Sequence, residues 1–461
     1  MELPSRVKDL AVAVREAGGR AMLNGGCVRD QLMGSIAKDW DVEVYGVEPH
    51  RLREILDGIG PVNVVGEAFT VYKIGSDLDV SLPRRERKIA AGHRGFVIEG
   101  DPYMSFENAC RRRDFTINAI LQDALTGEII DPFNGKRDID AGLLRMVSAE
   151  SFAEDSLRVL RAAQFAARFE FSLDEATAEV CSSLDVRDLP RERIWGEIEK
   201  LLLKARRPSL GLKLLYEWGV IRQLFPELQA LVGVPQEPEW HPEGPVDVHT
   251  LMVVDEAHKL IDGLDHARQV TVMLGALAHD LGKPPTTEFV DGRTRSRGHD
   301  EAGIAPTLSL LDKLGIYTID GFDVRTQVIQ LVRYHLKPGE FYKAKNPVGD
   351  GAFRRLARKV EPDLLYRVAK ADSLGRNPDW LPPEKRFDSA AQEWFIDKVR
   401  ELEIEQLPPA PILLGRHLIE MDMQPSPEFK RILDAVYELQ LDGRVTDLAE
   451  AKDAATKLLT S

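Results

Sequence analysis

The sequence predicts an α+β protein: a mixed-sheet head with helices, followed by a mostly helical remainder. Three observations carry this. The first 145 or so residues alternate between strand-like and helix-like patterns, the chain from about Phe152 onward is helical in pattern, and Pro-rich breaks interrupt the helical part. At 461 residues the chain is too long for one ordinary domain. The expected division is a head over 1–145, a helical neck and body over 146–230, an all-α domain over 231–400 and a helical tail over 401–461.

Within the head, Val7 to Glu16 reads as a helix stopped by Gly18-Gly19. Arg20 to Asn24 reads as a strand running into Gly25-Gly26. Asp39 to Tyr45 alternates cleanly, and Val62–Val65, Thr70–Ile74 and Leu78–Leu82 complete the predicted strands. Beyond the head, one boundary is expected near Phe225-Pro226-Glu227, before the Pro-rich stretch Pro235–Pro245. Further breaks fall at Asn377–Pro383 and Gln406–Pro411.

Hydrophobic residues make up 43% and charged residues 30%, ordinary for a soluble globular protein. No apolar run approaches the roughly eighteen residues of a membrane span. The charged start, MELPSRVKDLAVAVREAGG, lacks a signal-peptide pattern. Three scattered cysteines (Cys27, Cys110, Cys181) argue against a disulfide framework and a thiolate zinc site. A cytoplasmic protein is expected. The net charge of −14 is adverse for binding nucleic acid, yet basic clusters at Arg84–Lys88 and Arg111–Arg113 leave an RNA partner open.

The first chemical constellation is Gly25-Gly26-Cys27-Val28-Arg29-Asp30 followed by Lys38-Asp39-Trp40-Asp41-Val42-Glu43. Alternate strand residues share a face, so Asp39, Asp41 and Glu43 point one way and Trp40, Val42 and Val44 the other. Asp77 and Asp79 share a face of another strand. Carboxylates gathered from two strands suit Mg²⁺ and the two-metal chemistry of nucleotidyl transfer. The Gly-Gly turn before a helix lets backbone N–H groups approach phosphates.

These residues resemble the class II tRNA nucleotidyltransferase and bacterial poly(A) polymerase family, a branch of the polymerase-β superfamily. The resemblance continues through Asp79–Glu86, Arg112–Ala119, Asp131–Gly135, Glu154–Arg161 and Arg191–Glu197, in family order over roughly residues 20–230. It implies a polymerase-β-like head with Asp39, Asp41 and Asp79 catalytic and Asp39 and Asp41 holding Mg²⁺. It also implies Gly25, Gly26, Arg29, Arg113, Asn118 and Arg161 at the nucleotide, with Asp155 and Arg158 as an amino-acid template. The pair sits at i and i+3 on one helix face. A carboxylate accepts from the exocyclic amino group of cytosine or adenine while a guanidinium donates to the ring nitrogen; guanine and uracil offer the reverse. Where relatives often carry a further Arg, this chain has Gln164. Lys88–Glu107 lies where the family places a flexible loop linked to the C-to-A switch.

The second constellation is His249, His279-Asp280, His299, His335 and Asp372. A His-Asp doublet in the apolar run GALAHDLGK favours ligation of a divalent transition metal. The set resembles the HD phosphohydrolase pattern, with His249, His279, Asp280 and Asp372 as basic ligands and His299 and His335 matching the extended form with a second metal. The resemblance implies addition of CMP and AMP from CTP and ATP to a tRNA 3′ end, with phosphohydrolase activity beside it. The alternatives are a CC-adding, A-adding or poly(A)-adding sister, and an HD nucleotide phosphohydrolase whose head only binds nucleotide. The region Leu413–Ala454 resembles the family's tRNA-holding tail.

Overall fold

The computed structural model describes residues 3–35, 39–65, 71–88 and 96–459. The chain divides into two compact units, Met1–Leu201 with Ala205–Leu224, and Leu202–Lys204 with Phe225–Ser461.

The first unit is built on a seven-stranded mixed sheet in the order β3-β4-β5-β2-β1-β8-β9. Its strands are β1 Arg20–Asn24, β2 Trp40–Tyr45, β3 Val62–Val65, β4 Val71–Ile74, β5 Leu78–Ser81, β8 Leu121–Asp123 and β9 Ile129–Ile130. Only β2 and β5 pair in parallel; the other neighbours are antiparallel. Trp40, Val42 and Val44 project from β2 into a core shared with Val7, Leu10 and Val14 of α1 (Ser5–Glu16). Burying that stripe of α1 is what holds the helix against the sheet.

One pairing was not expected. Arg84–Lys88, which reads as a solvated basic run, forms strand β6 antiparallel to β7 (Phe96–Gly100). A run of charges has low strand propensity, so only the partner strand reveals it. The expected switch loop Lys88–Glu107 contains β7 and part of α4 (Phe106–Arg111), while its residues 89–95 lie outside the described residues, as does Thr70 at the start of the fourth predicted strand. The helix Leu157–Phe169 follows, buried along Leu157, Leu160 and Phe165.

The second unit is helical around one apolar helix, His266–Ala278, nearly all of whose residues are buried. The helices Val246–His258, Val324–Tyr334 and Pro362–Leu374 pack against it. A short hairpin, Thr287–Val290 with Arg293–Ser296, projects beside them. The last helices, Gly415–Glu420, Pro427–Leu441 and Leu448–Leu459, enclose a small core of their own that includes Leu418, Ile432 and Val436. No helix among the described residues is long and apolar enough to cross a membrane.

Candidate active sites

In the first unit, the parallel pairing of β2 and β5 sets Asp41 directly opposite Asp79. The two carboxylates open into a cleft of about 430 Å³, lined also by Arg113, Asp155, Arg158 and Arg161. Asp41 keeps accessible surface but stands at the cleft floor. Burial there, and then the Asp79 carboxylate, push the Asp41 carboxyl above its ordinary range, against the pull of Arg113. Lys73, the cross-strand partner of Asp79 on β4, puts Nζ 3.1 Å from Asp79 Oδ2. Asp39 lies one residue before β2, in an exposed bend. Among the described residues, Asp39, Asp41 and Asp79 do not gather within 4.8 Å of one another as the clusters of the second unit do.

Gly25 joins β1 to α2 (Gly26–Leu32) at φ 65° and ψ −127°, a conformation closed to residues with a Cβ. A Cβ there would meet Arg113 Nη1 at 3.4 Å and Asp41 Oδ2 at 4.0 Å, so this backbone borders the carboxylates directly. Arg29 is 4% exposed and lies behind the cleft. Its guanidinium donates to Asn118 Oδ1 at 2.7 Å and to Asp30 Oδ1, and stacks over Phe169. Asn118 in turn donates to Asp114 Oδ1 at 3.0 Å. Arg29 and Asn118 therefore form a buried brace rather than part of the open wall.

Glu43 shares the Asp41 face but is 1% exposed and engaged by protein groups. Tyr45 Oη donates to it at 2.5 Å and Arg112 Nη2 at 2.8 Å, while Arg113 Nη2 is 3.9 Å away. It aligns two arginines instead of facing solvent as a third carboxylate. Arg161 is held by Asp114, Nη2 to Oδ2 at 2.7 Å. Although burial pushes the other way, Arg161 draws the Asp114 carboxyl below its ordinary range.

Asp155 sits just before the helix Leu157–Phe169, and Arg158 in its first turn. Asp155 Oδ2 accepts from Arg193 Nη2 at 2.7 Å. Burial raises the Asp155 carboxyl, but Arg193 outweighs it and the group lies below its ordinary range, hence ionised. Arg158 donates to the carbonyls of Ser151 and Arg112, which fixes its guanidinium at the cleft wall. Gln164 is 1% exposed, its Nε2 without a partner among the described residues. Arg112, Arg193 and Lys73 stand at the site as well; the first two lie within the segments Arg112–Ala119 and Arg191–Glu197, while Lys73 carries no distinguishing sequence signal.

The second unit brings all six of its predicted residues together. His279 and His335 each fall one residue past a helix end, and His299 opens a short helix. Each of these three donates Nδ1–H to the backbone carbonyl three residues earlier, all at 2.7 Å, which assigns the lone pair to Nε2. Those lone pairs converge. His279 Nε2 lies 3.2 Å from Asp280 Oδ2 and 3.4 Å from His249 Nε2; His299 Nε2 lies 3.5 Å from Asp280 Oδ1 and 3.2 Å from His335 Nε2. Asp372 Oδ1 stands 3.2 Å from His249 Nε2. Two pairs of imidazole nitrogens that face each other need a shared proton or a cation between them, and beside Asp280 and Asp372 this donor set fits divalent metal. The residues form two groups, His249, His279, Asp372 and Asp280, His299, His335.

Charge around the cluster is balanced by groups the sequence reading missed. Lys283 Nζ is 2.7 Å from Asp280 Oδ2, and Arg376 Nη2 is 3.1 Å from Asp372 Oδ1. Both aspartates lie well below the ordinary carboxylate range despite burial, Asp280 through His279 and Lys283 and Asp372 through Arg376. Burial, with His299 adding to it, holds His335 neutral, its pKa down to about 4. Glu243, fully buried, faces both His241 and His249. It lies in the Pro-rich stretch Pro235–Pro245 that follows the boundary at Phe225, and Gln236, Glu237, Trp240 and His241 of that stretch line the cleft at the site. Gly282 permits the junction: a Cβ there would fall 1.9 Å from the His299 carbonyl oxygen.

Residues 21–145 match the Poly A polymerase head domain, 170–231 the probable RNA and SrmB-binding site of polymerase A, and 246–377 the HD domain. The Multifunctional CCA protein of Xanthomonas campestris pv. campestris (strain B100) is 37% identical over 368 residues, 77% of this chain and 85% of that protein. That of Stenotrophomonas maltophilia (strain K279a) is 40% identical over 306 residues, 64% and 71% of the two chains. The fold is that of the Bacillus stearothermophilus CCA-adding enzyme in complex with CTP, with a TM-score of 0.65, 19% identity and 99% of each chain covered. The Thermotoga maritima CCA-adding enzyme complexed with tRNA shares it at a TM-score of 0.54, 19% identity and 98% and 94% coverage. With a relative this similar over most of its length, the chain belongs to the multifunctional CCA protein family and is a nucleotidyltransferase carrying an HD domain.

Proposed function

We propose that the protein adds CMP and AMP from CTP and ATP to the 3′ end of tRNA, in the cytoplasm. The observation that carries this is the register of Asp41 against Asp79 in a cleft whose opposite wall holds Asp155 and Arg158. The terminal ribose hydroxyl attacks the α-phosphorus, the bond to pyrophosphate breaks, and pyrophosphate leaves. Asp41 and Asp79, with Asp39 from the bend before β2, are the residues that would hold Mg²⁺, which when bound would supply charge neutralisation and activation of the hydroxyl. Arg113 and the backbone at Gly25 and Gly26 face the triphosphate, and the Arg29–Asn118 brace keeps that wall in place. Asp155, kept ionised by Arg193, accepts from the exocyclic amino group of C or A while Arg158 donates to the ring nitrogen. Residues 146–230 serve nucleotide choice and tRNA binding, and 401–461 the hold on tRNA.

The HD domain, 231–400, is read as a phosphohydrolase acting on nucleotide phosphates. His249, His279, Asp280 and Asp372 would hold a divalent transition metal, with His299 and His335 completing a second site, and the metal when bound would supply Lewis-acid and water-activating chemistry. The deciding experiment is incorporation of labelled nucleotides into tRNA transcripts ending before CCA, after C and after CC, with CTP, ATP or both. Two C followed by a single A is expected. A long A tail, only CC or only A would move the protein to a sister activity, and no incorporation would overturn the reading.

A further inference from the structure

The histidine–aspartate cluster opens into two clefts of about 190 and 530 Å³ that share Trp240, His335, Leu336, Asp372 and Arg376. The smaller is lined by Asp280, His299, His335 and Asp372 of the cluster. The larger runs from the same residues past Trp240 toward Tyr342 and Phe387 and contains no metal-ligating histidine besides His335. Its walls are unusual for a surface: Trp240 is 45% exposed and Tyr342 50%. Exposed rings of this size, gathered at one cleft beside a chemical site, suit a flat ligand group. Trp240 is not a loose side chain, because its backbone N–H donates to Glu237 O and the next residue, His241, is anchored on Glu243.

The polar groups are placed for a phosphate at one end and a base at the other. Arg376 spends Nη2 on Asp372 and keeps its Nε buried. It lines both clefts, so a donor stands where they join. Asp388 and Gln392 also line the larger cleft, and Lys343 Nζ stands over the Trp240 ring, 5.8 Å from its centroid. An alkyl tail would leave these groups unanswered; a heterocycle with ring nitrogens and amino groups answers them.

We propose that Trp240 is the base platform of the HD site: a nucleoside monophosphate seats its phosphate beside Arg376 at the histidine–aspartate cluster and lays its base on Trp240 in the larger cleft. The inference rests on the phosphohydrolase reading and adds to it the residue that tells a nucleotide from a bare sugar phosphate. Stacking on an aromatic side chain is sequence-tolerant, so purines and pyrimidines are both accepted.

The test compares AMP with ribose 5-phosphate, which carries an anomeric hydroxyl in place of the base, on the full-length protein with Mn²⁺. The wild type is expected to favour AMP in kcat/KM. Trp240→Ala is expected to lower the AMP to ribose 5-phosphate ratio about tenfold through KM for AMP, and Trp240→Phe to retain most of it. Calorimetric AMP binding to metal-free wild type and variant gives a second readout, with about tenfold weaker binding to Trp240→Ala expected; the nucleotidyltransferase head is common to both and cancels. An unchanged ratio or unchanged AMP affinity overturns the platform. Equal loss on both substrates assigns Trp240 to the fold instead. If the wild type hydrolyses neither compound, the phosphohydrolase reading fails and the binding comparison alone decides the platform.

Discussion

Glu243 Oε1 lies 2.7 Å from Nδ1 of His249, whose Nε2 looks into the histidine–aspartate cluster. A carboxylate at Nδ1 fixes the tautomer and makes the imidazole a better ligand. Glu243→Ala should therefore weaken divalent-metal affinity by about 10–100-fold, and Glu243→Gln, which keeps an acceptor oxygen, by less. Isothermal titration of metal into apoprotein checks this, and equal affinities for wild type and Glu243→Ala would refute the role.

Asp41→Asn should reduce CMP incorporation by more than about 100-fold while leaving phosphate release by the HD domain in place. The two readouts are taken on one preparation. Loss of both with the fold intact would mean the two sites are not independent.

Arg193 holds Asp155 ionised at 2.7 Å. Arg193→Ala should lower kcat/KM for CTP by about tenfold and narrow the preference for CTP over UTP, because the acceptor is no longer fixed. Steady-state incorporation with each nucleotide measures both. An unchanged preference would remove Arg193 from base choice.

Asp114 lies below its ordinary range because Arg161 outweighs its burial. A depressed carboxyl contributes stability above the unfolded value of about 3.9, lost as pH falls through the folded value. Asp114→Asn should cost about 3 kcal/mol near neutral pH. The gap from wild type in urea unfolding should close below about pH 4. A gap that is constant with pH would show that charge is not what the substitution removes.

The two sites were legible to different depths. Asp41 and Asp79 could be found because strand periodicity places a carboxylate on a stated face, and the parallel pairing of β2 and β5 then sets them side by side. The same periodicity puts Glu43 with them and Tyr45 beside it on the same strand face, but it cannot show that Arg112 claims Glu43, since that contact depends on how α4 and the residues after it return to the sheet. His249, His279, Asp280, His299, His335 and Asp372 stood out as polar residues in apolar helical surroundings. Glu243 and Arg376 carried no such contrast: one sits in a Pro-rich loop, the other beyond a helix end, and only the tertiary path brings them in.

The contact between Gly282 and the His299 carbonyl bears on how this site can vary. With no room for even a methyl group, the turn after Asp280 and the turn bearing His299 form a single joint. Asp280 faces His279 through one oxygen and His299 through the other, so any displacement of that joint alters both ligand groups together. Under the proposed two-metal reading, a substitution at this position that changes affinity at one group changes it at the other as well.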